Sequence, residues 1–191
     1  MKHILVLVLS LVFSASVFAQ ENIQEHDLGN FWYFSMDTKE GKINYCRVRK
    51  TYKINPTSGV EGEHLQLNLY WFGKGKNPVF VVAGDAFPNG NGETYDGLVG
   101  FIFGKANKGF NFKFQSFGQT IGGPINQQFL KYFKMADTIG IKVGAKDLGA
   151  FGVDDNAIAV DAFDSCIAND KAGFDNWTKE YEGFSVGGED S

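Results

Sequence analysis

The segment GDAFPNGNGETYDG, residues 84–97, concentrates oxygen-bearing side chains of the kind that calcium accepts as ligands. These side chains are Asp85, Asn89, Asn91, Glu93 and Asp96. The spacing lacks the glycine position and the distal bidentate acid of an EF-hand loop. A solvated hairpin is therefore the simpler interpretation, calcium is the alternative, and no other metal or cofactor is predicted.

Two further patterns could support catalysis. The run GFSVG matches the G-x-S-x-G motif of hydrolases and would make Ser185 a nucleophile, but only four residues follow it and none is histidine. Asp85 and Asp96 could form a carboxylate pair if they converged in a cleft. Neither pattern has the expected context, so no catalytic residue is predicted.

The predicted strand YCRVRKTYKI, residues 45–54, carries basic and aromatic residues that could bind a ligand. Arg47, Arg49 and Lys53 share one face, where they could meet an anionic lipid head group or a polysaccharide. Tyr45 and Tyr70, with Trp32, could instead form the floor of a sugar-binding groove. A solvated sheet face explains the same pattern.

The N-terminus predicts export. MKHILVLVLSLVFSASVFAQ carries a positive Lys2, a short apolar run and a small-residue cleavage site after Ala19, which is typical of a bacterial secretory signal. In the oxidising periplasm or medium, Cys46 and Cys166 are expected to form a disulfide; two buried free thiols are the alternative. No later segment has the about 20 apolar residues of a membrane helix.

Charge and composition narrow the classes of protein. The net charge of -4 and the acidic residues 170–191 argue against a nucleic-acid binder, which would need a basic surface. The 19 phenylalanines and 24 glycines favour short strands joined by tight turns. We expect a signal peptide over 1–19, one domain over 20–169 and a flexible acidic tail over 170–191.

Periodicity predicts a mainly β fold with two short helices near the C-terminus. Alternation or continuous apolar runs predict strands over 31–37, 45–54, 64–72, 78–87, 96–105, 110–115 and 138–143. Residues 126–137 and the segment after Asp154 and Asp155, which could cap it, have helical periodicity. The expected architecture is an antiparallel β-sandwich of about seven to eight strands.

Lys50 breaks the alternation of its strand, in which Cys46, Val48 and Tyr52 face inward. A β-bulge at this position, or a long stem that reaches the surface, would each accommodate it.

The chain resembles the exported bacterial proteins of the invasion-associated locus B type. The resemblance rests on Trp32 in a first strand, on YCRVRK and on FLKYFKMADTIGIKVG…FGVDDNAIAVDAFDSC, so it covers the first strands and residues 127–166. It implies a periplasmic or secreted β-sandwich involved in envelope or host interaction. The chain departs from that pattern where Val153, Asp154 and Asp155 replace a glycine before the last helix.

These observations predict a non-catalytic exported module that binds an envelope or host protein. A glycan- or lipid-binding periplasmic protein is the first alternative. A carboxylate-dependent hydrolase is the last.

Overall fold

A computed structural model of the chain describes residues 23–39, 42–53, 64–73, 75–84, 87 and 90–168. The predicted signal peptide and acidic tail lie outside these ranges, and so does Ser185. The strands are β1 (Ile23–Gly29), β2 (Trp32–Lys39), β3 (Lys42–Lys53), β4 (His64–Trp71), β5 (Val79–Gly84), β6 (Gly90–Phe103), β7 (Ala106–Gly118), β8 (Thr120–Pro124), β9 (Thr138–Val143) and β10 (Lys146–Gly152). The helices are α1 (Gln127–Met135) and α2 (Asn156–Ile167).

The described strands form one antiparallel sheet in the order β1-β2-β3-β4-β5-β8-β7-β6-β9-β10. This confirms the mainly β fold and the two C-terminal helices. The sheet is continuous and open, with β1 and β10 as its edges, so the predicted sandwich of two sheets is not confirmed. In the described ranges no helix has the length and apolar character needed to cross a membrane.

The sheet has ten strands rather than seven or eight because β1, β8 and β10 were not predicted. Their sequences are IQEHDLG, TIGGP and KDLGAFG, in which charges, glycine or proline interrupt the alternation. Strand β6 is also longer than predicted, since residues 90–95 pair with β7 around an irregularity between Asn91 and Thr94. Neighbouring strands supply the pairing that these weak sequences do not encode by themselves.

Phe133 of α1 shows how strongly the sheet curves. Its ring centroid lies 5.9 Å from that of Trp32 on β2 and 6.3 Å from that of Phe101 on β6. Six strand spacings separate β2 from β6, which in a flat sheet would amount to about 29 Å. The sheet therefore bends around α1, and its concave face forms the core.

Cys46 of β3 and Cys166 of α2 lie at disulfide-bonding distance, with their Cα atoms 6.2 Å apart. Both side chains are fully buried. The predicted pairing is confirmed, and it fixes the C-terminal end of α2 to the concave face of β3.

The N-terminal end of α2 is held by hydrogen bonds. The side-chain amide of Asn156 is buried and donates to the carbonyl oxygens of Phe133 and Ala136, which end α1. Asp155 occupies the N-cap position in a left-handed conformation and makes no side-chain capping bond. The prediction is therefore right about an aspartate at the N-cap position but wrong about its hydrogen bond. The Asp155 carboxylate accepts a hydrogen bond from the side-chain amide of Asn30 instead of from the amides of α2.

Candidate functional site

Lys50 faces the core from a regular stretch of β3. The pairing of β3 with β4 runs without interruption from Cys46 opposite Trp71 to Lys53 opposite His64, so no bulge turns Lys50 outward. Its side chain is only 5% exposed. Of the two explanations for its position, the bulge is wrong, and the stem runs inward along the concave face rather than out to bulk solvent.

The Lys50 ammonium group lies between two aromatic rings. Nζ is 5.5 Å from the ring centroid of Trp32 and 5.9 Å from that of Tyr52, and it donates to the Asp154 carbonyl oxygen at 3.3 Å. Cation–π attraction and this hydrogen bond compensate part of the lost hydration. Burial nevertheless lowers the pKa of Lys50, and the charges of Asp154 and Asp155 oppose that shift.

A pocket of about 910 Å³ opens beside Lys50 at the ends of β2, β3 and β4. One wall is the end of β3, formed by Arg49, Lys50, Thr51 and Tyr52. The remaining lining residues are Phe31, Tyr33, His64, Gly152 and Asp154. A volume of this size, with aromatic walls and a few polar groups, is typical of small-molecule sites.

Phe31 stands at this pocket in an unusual backbone conformation. Asn30 and Phe31 form the two-residue turn between β1 and β2, with φ values of 47° and 65°. Such a turn favours Asn-Gly, because a bulky side chain at positive φ is strained. The Phe31 side chain is also 71% exposed, so neither local geometry nor core packing accounts for it.

The convex face of the sheet carries the predicted basic and aromatic residues. The Arg47 guanidinium lies 5.2 Å from the Tyr70 ring centroid and donates to the Asn68 amide oxygen at 2.9 Å and 3.1 Å. Tyr45 lies 5.9 Å from Tyr70, and Tyr70 stacks on the exposed Phe72. We call Tyr33, Arg49, Arg47, Tyr70, Tyr45 and Phe72 the convex strip.

Arg49 and Tyr33 join the convex strip to the pocket. Arg49 Nη2 contacts the Glu25 carboxylate at 2.6 Å, and the guanidinium lies 4.8 Å from the Tyr33 ring centroid. Both residues also line the pocket. Because alternate residues of a strand are about 6.6 Å apart, the strip runs along β3 for about 13 Å from Arg49 to Tyr45.

Burial raises the pKa of Tyr45 to about 12; the nearby Tyr70 adds to the shift, and the charges of Arg47 and Arg49 oppose it. The pKa of Tyr70 is raised as well, again chiefly by burial. These phenols therefore remain neutral hydrogen-bonding groups at physiological pH.

One predicted binding residue falls outside this arrangement. Trp32 is 1% exposed and lies on the concave face, so it does not share a groove with Tyr45 and Tyr70. Its indole N–H instead donates to the Asp154 carbonyl oxygen at 2.8 Å. The side chain of Lys53 lies outside the described part of the chain.

The two described acids of the calcium candidate, Glu93 and Asp96, each have a partner in the protein. The Glu93 carboxylate accepts hydrogen bonds from the Ser116 hydroxyl at 2.5 Å and the main-chain N–H of Asn91 at 2.7 Å, and these bonds lower its pKa. Asp96 lies 3.8 Å from Lys113. Asp85 and Asn89 are outside the described residues, and among those described no three acidic, histidine or cysteine side chains could hold a metal ion together.

Sequence reasoning missed the pocket itself. Lys50 is an exception to the alternation of its strand, and no sequence pattern predicts Phe31, Tyr52 or Asp154 as parts of a site. The available signals were a lysine at an inward position and an Asn-Phe pair where a tight turn favours Asn-Gly.

Comparisons with protein families, with curated proteins and with solved structures find no match to this chain.

Proposed function

We propose that the chain is a non-catalytic exported binding module and that its ligand is a glycan bound in the pocket beside Lys50. The main support is that this pocket is lined by two residues whose backbone conformation or burial lowers the stability of the fold. Phe31 is exposed at positive φ, and Lys50 is a buried cation. Residues that violate local rules persist where function requires them.

The walls of the pocket favour a glycan over a lipid. Phe31, Tyr33 and Tyr52 offer ring faces on which the apolar face of a sugar can stack. Arg49, Thr51 and His64 offer polar groups for its hydroxyls. A lipid chain would gain most from a wall without such groups, since each polar group that it desolvates costs free energy.

The convex strip supports a ligand longer than a single sugar. Arg49 and Tyr33 belong to both the pocket and the strip, so an extended polysaccharide can leave the pocket and follow β3. Tyr70, Tyr45 and Phe72 then provide further stacking surfaces.

Binding without catalysis fits the lining better than hydrolysis does. Hydrolysis by paired carboxylates needs two acids on opposite sides of the scissile bond. Among the described lining residues Asp154 is the one acid, and it is its main-chain carbonyl that Trp32 and Lys50 bond. Asp85, the proposed partner of Asp96, lies outside the described residues.

Export is part of the proposal. The signal-like N-terminus and the cysteine pair at bonding distance are both compatible with an oxidising compartment. The resemblance to the invasion-associated locus B type agrees with an envelope location and remains a proposal.

The test is a binding screen of the mature protein against envelope and host polysaccharides, followed by calorimetry on those that bind. Phe31→Gly creates the Asn-Gly pair that the turn favours, so this variant should fold at least as stably as wild type. We expect it to lose at least tenfold in affinity, because the stacking surface is gone. Phe117→Ala, which removes a 57% exposed phenylalanine from β7, is the matched control and should bind normally.

Absence of glycan binding by the wild-type protein would refute the proposed function. Equal affinities of Phe31→Gly and wild type would place the glycan elsewhere on the molecule.

A further inference from the structure

We infer that the pocket is selective for an acidic saccharide and that a carboxylate of the sugar binds the Lys50 ammonium group. This inference rests on the proposed glycan function and adds the class of glycan and the residue that recognises it. Its basis is the incomplete pairing of a buried charge.

Among the described residues, the Lys50 ammonium group has more N–H donors than acceptors. An ammonium group has three N–H donors, and the Asp154 carbonyl oxygen accepts one of them at 3.3 Å. Within the described part of the chain, no carboxylate oxygen lies within ion-pair distance of Nζ. Because buried charges in proteins are normally paired, a ligand anion is the natural partner of this one.

The position of Lys50 allows a ligand to supply that partner. Its side chain is 5% exposed, yet it lines the pocket, so its remaining donors are sheltered from bulk water and still accessible to a bound molecule. A charge-assisted hydrogen bond in such a sheltered site is stronger than one at an exposed lysine.

The groups around Lys50 favour a single negative charge. The carboxylates of Asp154 and Asp155 act on the ammonium from the segment before α2. Arg49 and His64 face the pocket from β3 and β4, and the Arg49 charge is compensated by Glu25. A doubly charged phosphate would be repelled by the two aspartates, whereas a uronic acid carboxylate carries one charge beside a ring that can stack.

The experiment compares each acidic sugar with its own neutral form. Oligogalacturonate and oligoglucuronate are titrated into the mature protein at pH 7 by calorimetry, alongside their methyl esters, which keep the ring and remove the charge. We expect the wild-type protein to bind at least one acid tenfold or more tightly than its ester.

The variants Lys50→Met and Lys50→Arg distinguish the loss of charge recognition from a loss of folded structure. Lys50→Met should bind acid and ester alike, at the affinity of wild type for the ester. Lys50→Arg should retain part of the preference for the acid. Near-ultraviolet circular dichroism confirms that each variant keeps its tertiary packing.

Titration of lysines labelled with ¹³C gives a second readout. The acidic sugar should raise the pKa of Lys50, because an adjacent anion favours the charged form, and the methyl ester should not.

The outcomes distinguish the two proposals. Equal binding of acids and esters by the wild-type protein overturns the acidic-sugar inference and leaves the glycan function standing. An acid preference that survives in Lys50→Met overturns the role of Lys50. If neither the acids nor the esters bind and the polysaccharide screen also finds no ligand, the proposed function fails and this inference falls with it; if the screen yields only neutral glycans, this inference alone fails.

Discussion

Strand β3 presents Cys46 and Lys50 to the same helix, and the two ends of α2 are held in opposite ways. At the Cys46 end, a disulfide links two fully buried residues. At the Lys50 end, Trp32 and Lys50 donate hydrogen bonds to the main-chain carbonyl oxygen of Asp154, just before α2, and a pocket of about 910 Å³ opens. One end of α2 is covalently linked and fully buried, and the other is held by polar contacts beside an open pocket.

In the proposed function, one strand serves both the stability of the fold and the recognition of the ligand. A covalent tie fixes the position of α2 and constrains the unfolded chain. The other end can then carry a buried cation and a strained turn, each of which costs stability. Four substitutions test this contrast between the two ends of α2, in decreasing order of effect.

Removing the covalent tie should have the largest effect. The cysteines are 120 residues apart, and loop-closure entropy for a ring of this size gives about 4–5 kcal/mol, so the double change Cys46→Ser and Cys166→Ser should lower the free energy of unfolding by about 4 kcal/mol. Urea denaturation measures the loss, with reduced wild-type protein as the control. An unchanged midpoint would show that the cysteine pair does not stabilise the fold.

Asn156→Ala should weaken the hydrogen-bonded end by about 2 kcal/mol. The two carbonyl oxygens at the end of α1 lose a buried donor and cannot reach water. The control is Asn107→Ala, which removes an exposed asparagine from β7 and should change stability by less than about 0.5 kcal/mol. Equal effects of the two changes would show that Asn156 does not hold the helices together.

Lys50→Met should raise the free energy of unfolding by about 1 kcal/mol at pH 7, because methionine fills a similar volume without a buried charge. The pKa of Lys50 is lowered from 10.5 in the folded protein. Between the folded value and 10.5 the unfolded chain holds a proton that the folded chain has lost, so wild-type stability rises with pH.

The advantage of Lys50→Met should therefore shrink as pH rises towards 10. Tyr45 and Tyr52 are present in both proteins, so their ionisation cancels in the difference. Denaturation of both proteins across this range gives the measurement, and an advantage that stays constant with pH would show that Lys50 is not buried as a charge.

Tyr52→Phe should have the smallest effect, a loss of about 0.5–1 kcal/mol. The Tyr52 hydroxyl donates to the Gly152 carbonyl oxygen at 2.7 Å and ties the end of β10 to β3. Burial and the charge of Asp154 raise the pKa of this phenol, so the variant should also lose one late step in an ultraviolet tyrosine titration. Tyr95→Phe, at an exposed site on β6, is the control for both measurements.

Two of the predicted contacts show how far sequence reasoning reached. Cys46 and Cys166 were paired correctly, because both lie at inward positions of periodic elements and the chain has no other cysteine. Arg47, Tyr45 and Tyr70 were placed on the same kind of outward face, and they do meet across β3 and β4. The prediction that Trp32 joins them is wrong, because Trp32 lies on the buried concave face of β2.

The mainly β character, the two C-terminal helices and the cysteine pair could be predicted from the sequence alone. Each depends on the spacing of apolar residues within a short segment, which shows the type of element and the face that it buries. The single curved sheet of ten strands is a property of the tertiary structure, since it requires β5 to pair with β8 and β6 to pair with β9, strands that do not follow each other along the chain. The pocket is likewise a tertiary property. It exists because the turn at Phe31, the end of β3 and the segment before α2 meet at one end of a bent sheet, a meeting that no local pattern encodes.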